Sequence, residues 1–165
     1  MALRVLPRAF YARSTVDVAR DLLGNVLECN GRGGRILEVE AYLGEGDEAA
    51  HSHRGITPRT RVIFGPPGHA YVYFIYGMYH CLNVVAEPEG IAGCVLIRSV
   101  EEAGNGPGKL TRALGITLKH NGCDLTHGPI RILEAPHPPR ETVIVTPRIG
   151  ISKSTHLPLR FLLSS

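Results

Sequence analysis

Nineteen glycines and twelve prolines are spread through the 165 residues of this chain. Glycine supplies the positive φ that tight turns require and proline removes a backbone donor, so such a chain is cut into short strands and irregular loops. A helical bundle needs longer uninterrupted runs and is disfavoured. The length suits one domain, spanning residues 1–165. At this size folding removes roughly 70% of the unfolded chain's surface from water, so neither a disulfide nor a structural zinc is needed for stability. Hydrophobic residues at 44% and charged residues at 20% exclude intrinsic disorder, collagen and coiled coil.

Within those limits the pattern predicts a short amphipathic helix over 14–23. Val16, Ala19, Leu22 and Leu23 share a face, Ser14 and Asp17 form a capping pair, and Gly24 is the stop. Residues 26–29, a turn at 30–34 and residues 35–42 read as a β-hairpin. In its second arm Ile36, Glu38, Glu40 and Tyr42 fall on one face by alternation, with Leu37, Val39 and Ala41 on the other. Residues 44–68 form a long loop, the kind of segment that carries function in a compact domain. Strands follow at 70–76, 81–86 and 94–100, then a short helix at 109–114 behind Gly106, Pro107 and Gly108. Further strands at 130–133 and 142–145 flank a loop at 136–139. With few helices between strands, the expected class is α+β with a mostly antiparallel sheet, and a doubly wound parallel sheet is not expected.

Net charge is only +3, but its distribution is uneven. Residues 49–86 contain no Asp or Glu while holding Arg54, Arg59, Arg61 and the histidines 51, 53, 69 and 80. Acids are absent again from residue 142 onward, where Arg148, Lys153 and Arg160 lie. Fifteen of the 18 basic residues are Arg, whose planar fork suits bidentate phosphate contacts. A solvated basic surface and a phosphate-backbone interface are both compatible with this charge pattern. Cys29, Cys81, Cys94 and Cys123 are scattered without a paired motif and read as buried thiols of a reducing, cytoplasmic compartment. No run approaches 18 apolar residues, so no membrane association is expected.

Several chemistries fail on their motifs. Gly108-Lys109 invites a phosphate-loop reading, but Ala103 and Leu110 stand where that motif needs Gly and Ser or Thr. Lys109 at a glycine-led helix start reads equally as an anion contact or as an exposed lysine on a helix. No GxSxG elbow is present. Asp47, Glu48, His51 and His53 offer metal-type donors within seven residues, on a loop without a fixed scaffold. The denser feature is Glu40 with Tyr42 at a strand end, then the loop histidine His51, then the tyrosine-rich run from Tyr71 to Tyr76. One acid, several flat π faces and an acid-free basic stretch are equipment for gripping a planar base and hydrolysing its glycosidic bond.

The order VEAYLG, DEAAHS, TPR, GHAYVYFIYGMYHCLN, CVLIRSVE, GPGKL and PLRF resembles the alkyladenine (3-methyladenine) DNA glycosylase family from about Ala19 to Phe161. The resemblance implies a curved antiparallel sheet flanked by short helices, and a cofactor-free, metal-free enzyme that flips damaged purines out of duplex DNA. By position, Glu40 is similar to the family's general base, Arg98 to the arginine that helps hold the catalytic water, and the Ile149 carbonyl to a further contact of that water. Tyr42 resembles the ring stacking on one face of the flipped base, with His51 and Tyr73 on the other and the His51 N–H reading the base edge. Asn83 matches the asparagine that excludes guanine, Tyr76 the wedge filling the gap in the duplex, and Met78 and Lys109 DNA-side contacts.

The expectation is therefore a monomeric, monofunctional purine glycosylase of base-excision repair. No lysine adjoins Glu40 in these motifs, so strand cleavage through a Schiff base is not expected. Two rivals stand beside it. One is a non-catalytic nucleic-acid-binding module in which Tyr73 and Tyr76 stack on single strands. The other is a metal-dependent hydrolase using Asp47, Glu48, His51 and His53.

Overall fold

The computed structural model describes residues 3–137 and 141–164. Its first regular elements are the single turn α1 (Arg8–Tyr11) and α2 (Thr15–Leu22). Ser14 caps α2, its hydroxyl accepting from the Asp17 N–H at 3.2 Å, an arrangement worth about 1 kcal/mol. Val18, Ala19 and Leu22 are buried, and α2 packs against β2 (Arg32–Tyr42), the longest strand.

β1 (Val26–Cys29) reaches β2 through Asn30 and Gly31, whose φ values of 57° and 75° make the two-residue turn that matches strand twist. The turn is thus two residues long rather than the five expected, and Gly33 and Gly34 belong to the strand. Close packing explains both glycines. A Cβ on Gly33 would stand 2.0 Å from the Leu27 carbonyl oxygen, and one on Gly34 would stand 2.0 Å from that of Glu101.

The remaining strands are β3 (Ala70–Ile75), β4 (Tyr79–Val85), β5 (Cys94–Val100), β6 (Gly104–Asn105), β7 (Ile130–Leu133), β8 (Thr142–Thr146) and β9 (Arg160–Ser164). All pairings are antiparallel, in the order β3-β4-β5-β2-β1-β7, with β6 on β5 and β9 joining β2 to β8. The sheet is curled and the class is α+β, as expected. α3 (Pro107–Leu114) crosses behind β4 so closely that a Cβ on Gly108 would meet the Tyr79 ring at 2.6 Å. The loop at 44–68 contains two 3-10 turns, His51–Arg54 and Arg61–Phe64. β9 and β6 are not apparent from local pattern, and part of the expected 136–139 loop lies outside the described residues. Among the described residues no helix is long and apolar enough to cross a membrane.

One irregularity decides how the site is built. The pairing of β2 with β5 shifts register around Glu38, on both sides of that residue. Simple alternation puts Ile36 on the face of Glu38 and Glu40, but the bulge turns Ile36 into the same core as Val39 and Ala41. Glu38 and Glu40 are left together on the other face, where both contact Arg98.

Candidate active site

Glu40 sits mid-sheet, with Leu96 of β5 opposite it on one side and Arg160 of β9 on the other. Its side chain is wholly buried. Unpaired burial of a carboxylate is prohibitive, and three donors meet it. The Tyr42 hydroxyl donates to Oε1 at 2.9 Å, the Ile149 N–H to Oε2 at 2.7 Å, and Arg98 Nη1 approaches Oε1 at 3.5 Å. Arg98 is held chiefly by Glu38, donating from Nε at 3.0 Å, and Glu38 also accepts from Arg160 Nε at 2.7 Å. Burial first, and then the Glu40 charge, push the Tyr42 hydroxyl far up, so it remains a donor.

Behind Tyr42 lies a buried ion pair. Arg148 donates to Asp47 through Nη1 at 2.6 Å and Nη2 at 2.8 Å, and both side chains are fully buried. Arg148 also donates to the carbonyls of Ala41 and Ser154. Burial alone would raise the Asp47 carboxyl, but Arg148 and the N–H groups of Leu43 and Ala49 outweigh it and hold the group below the usual carboxylate range. The guanidinium lies over the Tyr42 ring, 4.7 Å from its centroid. One pair therefore ties the loop after β2 to the segment whose Ile149 N–H reaches Glu40.

Tyr42 forms part of a cavity of about 260 Å³ that also takes in His51, Tyr71, Tyr73, Tyr76 and Asn83. Tyr71, Tyr73 and Ile75 come to one face of β3 because side chains alternate along a strand. Asn83, opposite Tyr71 in mid-strand, lies deep in the site. Its Nδ2 donates to the Tyr71 carbonyl at 3.3 Å, and the Cys94 thiol donates to its Oδ1 at 3.8 Å. Burial, then Asp47, push that thiol up to about 12, which keeps the proton on sulfur. His51 Nδ1 is 2.9 Å from the Tyr71 hydroxyl. Burial of the ring and the nearby Arg59 charge lower His51 to about 4, so it is neutral near pH 7. The His51 and Tyr73 rings meet at 65° with centroids 4.6 Å apart, so they do not form one flat surface.

The hairpin joining β3 to β4 closes on Tyr76 and Gly77, both with positive φ, and the Met78 N–H donates to the Ile75 carbonyl at 3.0 Å. Tyr76 is 75% exposed and Met78 69%. An aromatic residue in the left-handed region is an outlier that local energetics would not choose, and such outliers collect at functional positions.

The sequence matches the family described as Methylpurine-DNA glycosylase (MPG) over residues 9–165. The chain belongs to this family. It is 49% identical to a Methanoculleus marisnigri protein named "Putative 3-methyladenine DNA glycosylase", across 96% of this chain and 94% of that protein. Proteins of the same name from Ehrlichia ruminantium (strain Welgevonden) and Legionella pneumophila (strain Corby) are 47% and 50% identical, over 96% and 90% of this chain and 89% and 87% of theirs.

Measured against the family pattern, Tyr42, His51, Tyr73, Tyr76 and Asn83 converge on one cavity, whereas Glu40 and Arg98 stand behind its wall and do not line it. Ile149 meets Glu40 through its N–H, a contact beyond the expected one of its carbonyl with the water. Met78 and Lys109 are exposed and outside the cavity, with Met78 on a groove between the hairpin and α3. The metal-type donors do not assemble. Asp47 is committed to Arg148, and no three His, Cys, Asp or Glu side chains gather to hold an ion among the described residues. Sequence reasoning missed the Asp47–Arg148 pair, the Glu38 bridge to Arg98 and Arg160, and Lys153 at the cavity rim. The available signal was that Arg and Asp are almost never fully buried unless paired, but no spacing couples residues 101 positions apart.

Proposed function

We propose that this protein, acting as a monomer on chromosomal DNA, flips a damaged purine out of the duplex and hydrolyses its N-glycosidic bond without cofactor or metal. The observation carrying this reading is an aromatic cavity whose Tyr42 wall is hydrogen-bonded to a buried carboxylate, with an exposed, strained aromatic tip beside it. The purine enters between Tyr42 and the His51 and Tyr73 side, while Tyr76 fills the vacated stack and offsets the few kcal/mol that unstacking costs.

Glu40 takes a proton from the water that attacks the sugar C1′ as the base departs with the bonding pair, and its charge stabilises the oxocarbenium-like sugar. Arg98 and the Ile149 N–H hold the carboxylate in place. An alkylated, cationic purine leaves without further help. A neutral purine needs a proton that no residue here is assigned to give.

Incubation with duplexes carrying 3-methyladenine, hypoxanthine or ethenoadenine, followed by alkali, should reveal abasic sites. Omission of alkali should leave the strand intact. Strand nicking without alkali would instead point to the Lys153 amine at the rim, and absence of base release with tight DNA binding would favour a non-catalytic module.

A further inference from the structure

Both aromatic walls of the cavity are backed by arginines. On one side Arg148 Cζ stands 4.7 Å from the Tyr42 centroid, and on the other Arg59 Cζ stands 5.4 Å from that of Tyr73. Neither arginine lines the cavity. Arg148 is fully buried, so its guanidinium occupies the face of Tyr42 turned away from the space a base would fill. Arg59 is exposed, and water and salt screen it. Arg148 is therefore the stronger influence.

The two faces of an aromatic ring share one electron cloud. A cation against one face uses the ring's negative quadrupole and is repelled by a second cation on the other. Asp47, bidentate on Arg148, offsets part of that charge. Damaged purines divide along the same property. A purine nucleoside alkylated at N3 or N7 is cationic while its glycosidic bond is intact, whereas a deaminated or etheno purine is neutral.

We infer that the buried Asp47–Arg148 pair sets the balance between cationic and neutral purines at Tyr42, Arg148 weakening the ring's hold on cationic bases and Asp47 limiting that effect. This rests on the activity proposed above and adds a specificity-determining role for two residues that touch no reacting atom.

The test is the ratio of single-turnover release of 7-methylguanine to that of hypoxanthine, from duplexes differing only in the lesion. Arg148→Gln should shift the ratio toward the cationic base by about threefold to tenfold. Asp47→Asn leaves the arginine charge uncompensated and should shift it the other way. A purely structural pair would lower both rates and leave the ratio unchanged, or move it in the same direction for both variants, and either result overturns the inference. Should Asp47→Asn fail to fold by thermal melting, Arg148→Gln in a Tyr42→Leu background decides the matter: the shift should vanish with the ring, and its persistence is equally fatal. Release of neither base by the unaltered protein would remove the proposed activity itself. Release of both with unmoved ratios would remove only the role of the pair.

Discussion

Two hairpins in this chain turn through residue pairs of nearly the same φ, one in a two-residue connection and the other in a three-residue one. Asn30 and Gly31 have φ of 57° and 75°, and Tyr76 and Gly77 have 54° and 63°. Asn-Gly is the pair this geometry selects, since a short amide tolerates the left-handed region and Gly meets no penalty there. Asn30 also uses its side chain, donating from Nδ2 to the Leu114 carbonyl at 3.0 Å and tying its turn to the end of α3. Tyr76 holds its ring in solvent on a backbone that costs about 1–2 kcal/mol for a non-glycine residue. The first turn serves the fold. The second keeps strain that the fold does not require, which supports the role proposed for Tyr76 at the duplex.

Separating chemistry from flipping sharpens that contrast most. Glu40→Gln should lower single-turnover base release by at least about a hundredfold, equally on matched and mismatched duplexes, while lesion binding persists. Near-normal turnover would remove Glu40 from the reaction. Asn83→Ala tests a second asparagine whose amide, like that of Asn30, donates to a backbone carbonyl, but from inside the cavity. Release of guanine relative to hypoxanthine should rise by a selectivity change of about 1–3 kcal/mol. An unchanged ratio in a folded variant would make Asn83 as structural as Asn30.

Tyr76→Asn installs the relaxed turn at the tip. Base release from a fully paired duplex should fall about tenfold, and less within a mismatch where unstacking is easier, while urea unfolding shows a gain of about 1 kcal/mol. Equal losses on both duplexes would make Tyr76 an ordinary surface residue. The reverse exchange, Asn30→Tyr, should cost about 1–2 kcal/mol in the same unfolding assay and leave base release unchanged. A comparable loss of release would show that the two turns are interchangeable scaffolding.

What could be read from the chain alone was whatever a few neighbouring residues settle among themselves. α2 was legible because its cap and its apolar stripe repeat within one or two turns, and Ser14 and the buried Ala19, Leu22 and Leu23 match that reading, while Val18 rather than the half-buried Val16 completes the buried face. The strands carrying Tyr42, Tyr73 and Asn83 were legible from β-branched and aromatic runs, and the resemblance placed those residues together before any geometry was known. Alternation failed at Ile36, because the bulge near Glu38 is set by pairing with β5 rather than by β2 itself. Pattern was also silent on β9, whose five residues form a strand between β2 and β8. The partners of the buried charges lay further beyond reach. Arg148 finds Asp47 across 101 positions, Arg160 finds Glu38 across 122, and the Ile149 N–H finds Glu40 across 109. Local propensity acts over a turn of backbone, whereas the pairing of a buried charge depends on which strands and loops become neighbours. The chain thus determined which side chains were available for this chemistry, and only the packing of β2 between β5 and β9 decided that Glu40 would be buried, held by three donors and joined to the cavity wall through Tyr42.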